Sequence, residues 1–110
     1  MYLTDSIVDG QGRAWPIAGV FPTAARMRSR LARLGYVEVE TSPGEKARGH
    51  QFRYSDIDPM ADSVGRPYTD GYQVGGAIGS YTHLHFLSCP GFARRFVESC
   101  AQWRERNSDY

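Results

Sequence analysis

Thr23–Gly35 reads T-A-A-R-M-R-S-R-L-A-R-L-G, and whether it is helix or strand decides the fold class. Met27, Leu31 and Leu34 recur at spacings of four and three, the period of an apolar stripe along a helix. Thr23 suits an N-cap, and Gly35 suits the left-handed position after the last turn. The pattern predicts a helix over this span. Arg26, Arg30 and Arg33 fall off the stripe, on what reads as a solvated face.

Upstream of this segment, Ile17–Phe21 is a short apolar run that reads as a buried strand. Val8–Arg13, V-D-G-Q-G-R, reads as a turn, and Met1–Ile7 as the tail of a helix. Downstream, Tyr36–Val39 alternates as a strand and Thr41–Lys46 carries Ser-Pro-Gly as a loop. Gly49–Ser55 alternates again, with His50, Phe52 and Tyr54 on one face and Gln51 and Arg53 on the other. Phe52 and Tyr54 are expected in the core of a half-buried strand. Asp56–Asp70 is rich in Asp, Pro and Gly and reads as an exposed loop. Gly71–Val74 and Ala77–Thr82 flank Gly75-Gly76, a two-residue hairpin turn. The last element is a helix over Pro90–Arg104, with Pro90 in its first turn. Phe92, Phe96, Cys100 and Trp103 share its apolar face, which places Cys100 in the core, and Asn107–Tyr110 follows as a frayed tail. Strands and helices in this order give an α/β chain with an antiparallel C-terminal hairpin.

At 110 residues, the chain is expected to form a single domain, residues 1–110. Its 41% hydrophobic and 23% charged residues are those of an ordinary globular protein. A net charge of +1 lacks the basic excess of an electrostatic nucleic-acid binder. No run approaches the roughly 18 apolar residues of a membrane-spanning helix, and no signal peptide pattern is present, so no membrane partner is expected. Cys89 and Cys100 make no disulfide framework, and a reducing cytoplasmic setting is the expectation. No G-x-x-x-x-G-K-[ST] phosphate loop occurs.

Chemistry-bearing residues concentrate in two stretches. Ser80–Phe86, S-Y-T-H-L-H-F, holds His83 and His85, and Arg48–Ser55, R-G-H-Q-F-R-Y-S, holds His50. If Ser80–Phe86 begins as a strand, His83 and His85 share a face. Histidine beside a thiol can take its proton and later return it to a leaving group, because its pKa lies near neutrality. His83, His85 and Cys89 could instead supply three ligands to zinc, although no C-x-x-C or H-x-x-x-H pair completes a common pattern. Cys89 precedes Pro90 at a helix start, where a thiol can be activated, but helix entry or plain packing is the favoured reading.

These stretches, in order with Leu34–Glu38 (L-G-Y-V-E), resemble the end of the glutaminase domain of cobyrinic acid a,c-diamide synthases. The resemblance implies a partial flavodoxin-like glutamine amidotransferase sheet and a place in the C-terminal portion of that domain. It implies glutamine-dependent, ATP-driven amidation of corrin carboxylates in cobalamin biosynthesis. His83 matches the glutaminase histidine, and His85, His50 and Tyr81 become candidate active-site neighbours. The family's cysteine elbow, C-G-G-L-M-Y-L, matches only at Met1-Tyr2-Leu3, which sets the nucleophile four residues ahead of Met1. No cofactor or metal is then expected on this chain. ATP and magnesium would belong to an N-terminal synthetase domain, and the chain alone would be inactive. Gln51 and Arg53 stand where the family has a glutamate and a histidine. The H-L-H-F ending favours the a,c-diamide type over cobyric acid synthases, and a related family amidates a nickel tetrapyrrole. The alternative is a non-catalytic binding or oligomerisation module derived from this fold, with open sheet edges that invite a homodimer.

Overall fold

The computed structural model describes residues 1–61 and 64–108. Residues 62–63 of the Asp56–Asp70 segment and 109–110 of the tail therefore lie outside the described residues. The chain forms ten strands, one short 3-10 turn and one α-helix among the described residues, in an α/β arrangement of three small sheets. The first sheet has the order β2-β1-β3-β6, from β1 (Thr4–Val8), β2 (Ala14–Pro16), β3 (Phe21–Met27) and β6 (Ser55–Ile57). The second is β10-β5-β4, from β4 (Arg33–Ser42), β5 (Glu45–Arg53) and β10 (His83–Leu84). The third is β7-β8-β9, from β7 (Arg66–Tyr68), β8 (Gly71–Val74) and β9 (Ala77–Gly79). Helix α1 runs Pro90–Arg106 and follows the 3-10 turn Phe86–Ser88.

The helix expected over Thr23–Gly35 does not form. Its first part is β3, which pairs in parallel with β1 on one edge and antiparallel with β6 on the other. Ladder bonds on both edges satisfy the backbone, and the Ala- and Arg-rich composition yields to that pairing. The burial period is two, not 3.6: Phe21 and Ala25 are buried, and Thr23 between them donates a 2.7 Å hydrogen bond to the Asp58 carbonyl. Met27, Leu31 and Leu34, the supposed stripe, are all exposed, and the last two lie beyond β3. Arg26 pairs with Asp58 at 2.8 Å, and Arg28 pairs with Asp56. Gly35 is an internal residue of β4 at φ +147°, not a helix stop.

Two further expectations change nearby. Met1–Ile7 holds a strand rather than a helix tail, because β1 is clamped between β2 and β3. The buried strand expected at Ile17–Phe21 begins only at Phe21; Ala18, Gly19 and Val20 are exposed. The Val8–Arg13 turn is present, with Asp9 Oδ1 accepting from the amides of Gln11 and Arg13 at 2.9 Å each. Thr41–Lys46 narrows to Pro43-Gly44 between β4 and β5, with Gly44 at φ +78°. The Gly75-Gly76 hairpin joins β8 to β9 as the sequence indicates, and α1 continues to Arg106. Asp56–Asp70 is not wholly loop, since β6 and β7 occupy its ends.

Phe21, buried to 2%, is the largest apolar side chain in the core. A Cβ on Gly79 would sit 2.5 Å from the Phe21 ring, so the glycine in β9 makes the room that Phe21 fills. Helix α1 is held at its start by Arg95, whose Nη1 donates to Glu45 Oε2 at 2.8 Å. Its face of Phe92, Phe96 and Trp103 lines an open groove with Phe86 and Ile78. Cys100 is exposed there rather than in the core, because no second layer covers that face among the described residues. No helix of the described residues is long and apolar enough to cross a membrane.

Candidate functional site

The site is built on the β10-β5-β4 sheet. Antiparallel pairing sets His83 opposite His50 and Leu84 opposite Gly49, while Tyr36 of β4 lies opposite His50 on the other side. His83, His50 and Tyr36 therefore form one row across three strands. The approach of β10 to β5 depends on Gly49, since a Cβ there would collide with the His83 carbonyl oxygen and lie 2.7 Å from Thr82 Cγ2. Beyond the strand, the His85 amide donates to the Arg48 carbonyl at 2.8 Å and continues the register.

The imidazoles of His83 and His50 meet directly. His83 Nδ1 lies 3.3 Å from His50 Nε2, ring centroids are 4.7 Å apart, and the ring planes cross at 87°. His83 Nε2 makes no hydrogen bond to the described residues. Both residues line a hollow together with His85, Leu87 and Glu38. His85 is thus near His83 as expected, although β10 ends at Leu84 and His85 precedes the 3-10 turn. Glu38 is taken up by Lys46 at 3.3 Å and Arg48 at 4.0 Å.

Tyr81, expected as a neighbour, lies outside this hollow. Its hydroxyl shares a 2.6 Å hydrogen bond with Ser55 Oγ, and the Arg53 guanidinium covers its ring at 4.5 Å. Burial pushes the Tyr81 phenol above its ordinary pKa.

Beneath the row, on the opposite face of β5, Gln51 is buried. Its Nε2 donates to Thr82 Oγ1 at 3.0 Å and to Asp70. Asp70 also accepts from Thr82 at 2.6 Å and from Ser80. Burial pushes the Asp70 carboxyl up, but donation from Ser80, Thr82 and Thr69 outweighs it and holds the pKa below its ordinary value. Asp70 is thus an anchor beneath the site that sequence reasoning missed. Its only signal was an acidic residue beside Gly71 at a hairpin start. Arg53 Nε donates to Gln51 Oε1 at 3.1 Å, so the two departures from the pattern R-G-H-E-F-H-Y-S bond to each other, away from the imidazoles.

Phe52 and Tyr54 are not core residues. Leu34 is 66% exposed, Tyr36 95% and Phe52 55%, all on the same face as the histidines. Ala47, Gly49 and Gln51 are the buried residues of β5. The alternation in Gly49–Ser55 is real, but the polar-looking face is the inner one.

Cys89 is buried at the entry to α1, with Sγ 3.9 Å from Thr41 Oγ1. It packs away from the hollow, and the described residues bring no three His, Cys, Asp or Glu side chains together as a metal site. That leaves the zinc alternative from His83, His85 and Cys89 without its geometry.

Residues 1–90 match the model of the CobB/CobQ-like glutamine amidotransferase domain. The chain is 33% identical over 124 residues to a cobyrinate a,c-diamide synthase of Priestia megaterium, covering 99% of this chain and 27% of that protein. It is 36% identical over 105 residues to the enzyme of that name from Herminiimonas arsenicoxydans, covering 86% and 23%. Against that of Salmonella typhimurium it is 35% identical over 115 residues, covering 88% and 25%. The chain spans about a quarter of the length of these curated relatives. No solved structure matches.

Proposed function

Because the chain belongs to the CobB/CobQ-like glutamine amidotransferase domain family, we propose that it is the C-terminal glutaminase portion of a cobyrinic acid a,c-diamide synthase. The observation that carries this reading is the position of His83: on an open sheet face, hydrogen-bonded through Nδ1 and with Nε2 unengaged by the described residues. That is the arrangement a thiol needs from its base.

The nucleophilic cysteine comes from a segment outside this chain. His83 Nε2 takes the thiol proton, and the thiolate attacks the amide carbon of glutamine. The C–N bond breaks as the imidazolium returns the proton to the leaving ammonia. Water then hydrolyses the thioester to glutamate and regenerates the thiol. Ammonia passes to a synthetase domain, where ATP and magnesium activate a corrin carboxylate. No residue of this chain is assigned to the nucleotide or the metal. The setting is cytoplasmic, and cobalamin biosynthesis is the pathway.

The isolated chain is expected to release no glutamate from glutamine. Turnover that survives repurification and disappears in His83→Ala would contradict that. A chimera supplies the positive test: this chain replaces the matching segment of the Priestia megaterium synthase. Glutamate release by the chimera supports the reading, and a folded but silent chimera counts against it.

The exposed apolar residues beside the histidines, Leu34, Tyr36, Phe52 and Leu87, favour a second reading as a binding or homodimerising module. Light scattering across a range of concentrations decides it. A monomer throughout removes the homodimer.

A further inference from the structure

We infer that His50 is a positioning residue for His83. Its Nε2 accepts the Nδ1 proton of His83, which leaves the lone pair of His83 on Nε2, the nitrogen that makes no hydrogen bond to the described residues. The inference rests on the reading of His83 as the glutaminase base and adds what sets that base in its working tautomer.

Three observations converge on it. The first is register: His83 and His50 are paired across β10 and β5, and Gly49 fixes the strand spacing by its missing Cβ. The second is the 3.3 Å contact between His83 Nδ1 and His50 Nε2. A neutral imidazole carries one N–H and one lone pair, so this contact is attractive only when one nitrogen is protonated and the other is not. If His50 donated, His83 would hold its own proton on Nε2 and could not accept one there. Only His50 as acceptor leaves His83 Nε2 able to take a proton. The third is the charge arrangement. Glu38, the carboxylate lining the hollow, is engaged by Lys46 and Arg48, and Gln51 points to the opposite face. Orientation of His83 therefore falls to His50. When His83 takes the thiol proton, the Nδ1–H bond to His50 persists and helps hold the imidazolium.

The test reads the tautomer directly, by two-bond proton–nitrogen correlation on the 15N-labelled 110-residue chain at about pH 8, where an ordinary imidazole is neutral. His83 is expected with its proton on Nδ1 and His50 with an unprotonated Nε2. In His50→Gln the side-chain carbonyl replaces the acceptor and the Nδ1–H form of His83 is retained. In His50→Ala it is lost in favour of Nε2–H. A native His83 protonated on Nε2, or an Nδ1–H form that persists in His50→Ala, overturns the inference. If His50→Ala loses its dispersed amide spectrum, the native chain and His50→Gln decide. No glutamine or thiol enters this measurement. A silent chimera with the expected tautomer therefore rejects the glutaminase reading alone, and an active one with the other tautomer rejects the role of His50 alone.

Discussion

Gly49 and Asp70 hold the histidine row from beneath, one by lacking a side chain and the other by gathering hydrogen bonds. Gly49→Ala is expected to push β10 away from β5, since the added methyl would meet backbone rather than a flexible tip. The readout is loss of the His83–His50 contact in nuclear Overhauser spectra. Asp70→Asn should weaken the bonds to Ser80, Thr82 and Gln51 and loosen the same strand. Its expected cost is about 0.5–1.5 kcal/mol in urea denaturation, the usual net range for hydrogen bonds, because Asp70 is exposed. An unchanged midpoint would show that the network does not support the site. His83, His85 and His50 were legible in the sequence because their motifs are local. The roles of Gln51, Arg53 and Tyr81 were not. Each meets a partner far along the chain: Asp70 and Thr82 for Gln51, the Tyr81 ring for Arg53, and Ser55 for Tyr81.

At the scale of elements, sequence reading succeeded where the local signal and the tertiary pairing agree. The hairpin at Gly75-Gly76 and the helix beginning at Pro90 are examples. It failed at Thr23–Gly35, where the helical spacing of Met27, Leu31 and Leu34 is a coincidence of exposed residues. The edges offered by β1 and β6 determine the outcome there. Helix α1 depends on the joint between Glu45 and Arg95. The Arg95 guanidinium, with the Thr41 hydroxyl, lowers the Glu45 pKa from 4.5 to about 2. A carboxyl depressed on folding contributes stability that is present above its unfolded pKa. That contribution fades as pH falls toward the folded value. The joint should therefore weaken between about pH 4.5 and about pH 2. Glu45→Gln should show a smaller loss of urea stability over that window than the native chain; parallel curves would assign the acid sensitivity elsewhere. Phe21→Ala should cost about 3–5 kcal/mol, the range for emptying a large buried aromatic site. Gly79 cannot close that gap, having no side chain to offer.

Across the whole molecule, one face of the β10-β5-β4 sheet is packed inward, and the other presents histidines among exposed apolar side chains. Such a face is suited to receive a partner surface that delivers a thiol. The family match covers residues 1–90, and the relatives are about four times the length of the chain. The most direct test separates the source of nitrogen from its use. In the chimera with the Priestia megaterium synthase, corrin amidation is measured with glutamine and, in parallel, with ammonia. The account predicts that His83→Ala lowers the glutamine-driven rate by about 10²–10⁴-fold, the range for loss of a general acid–base, while the ammonia-driven rate is unchanged. A glutamine-driven rate that survives His83→Ala would contradict the central claim.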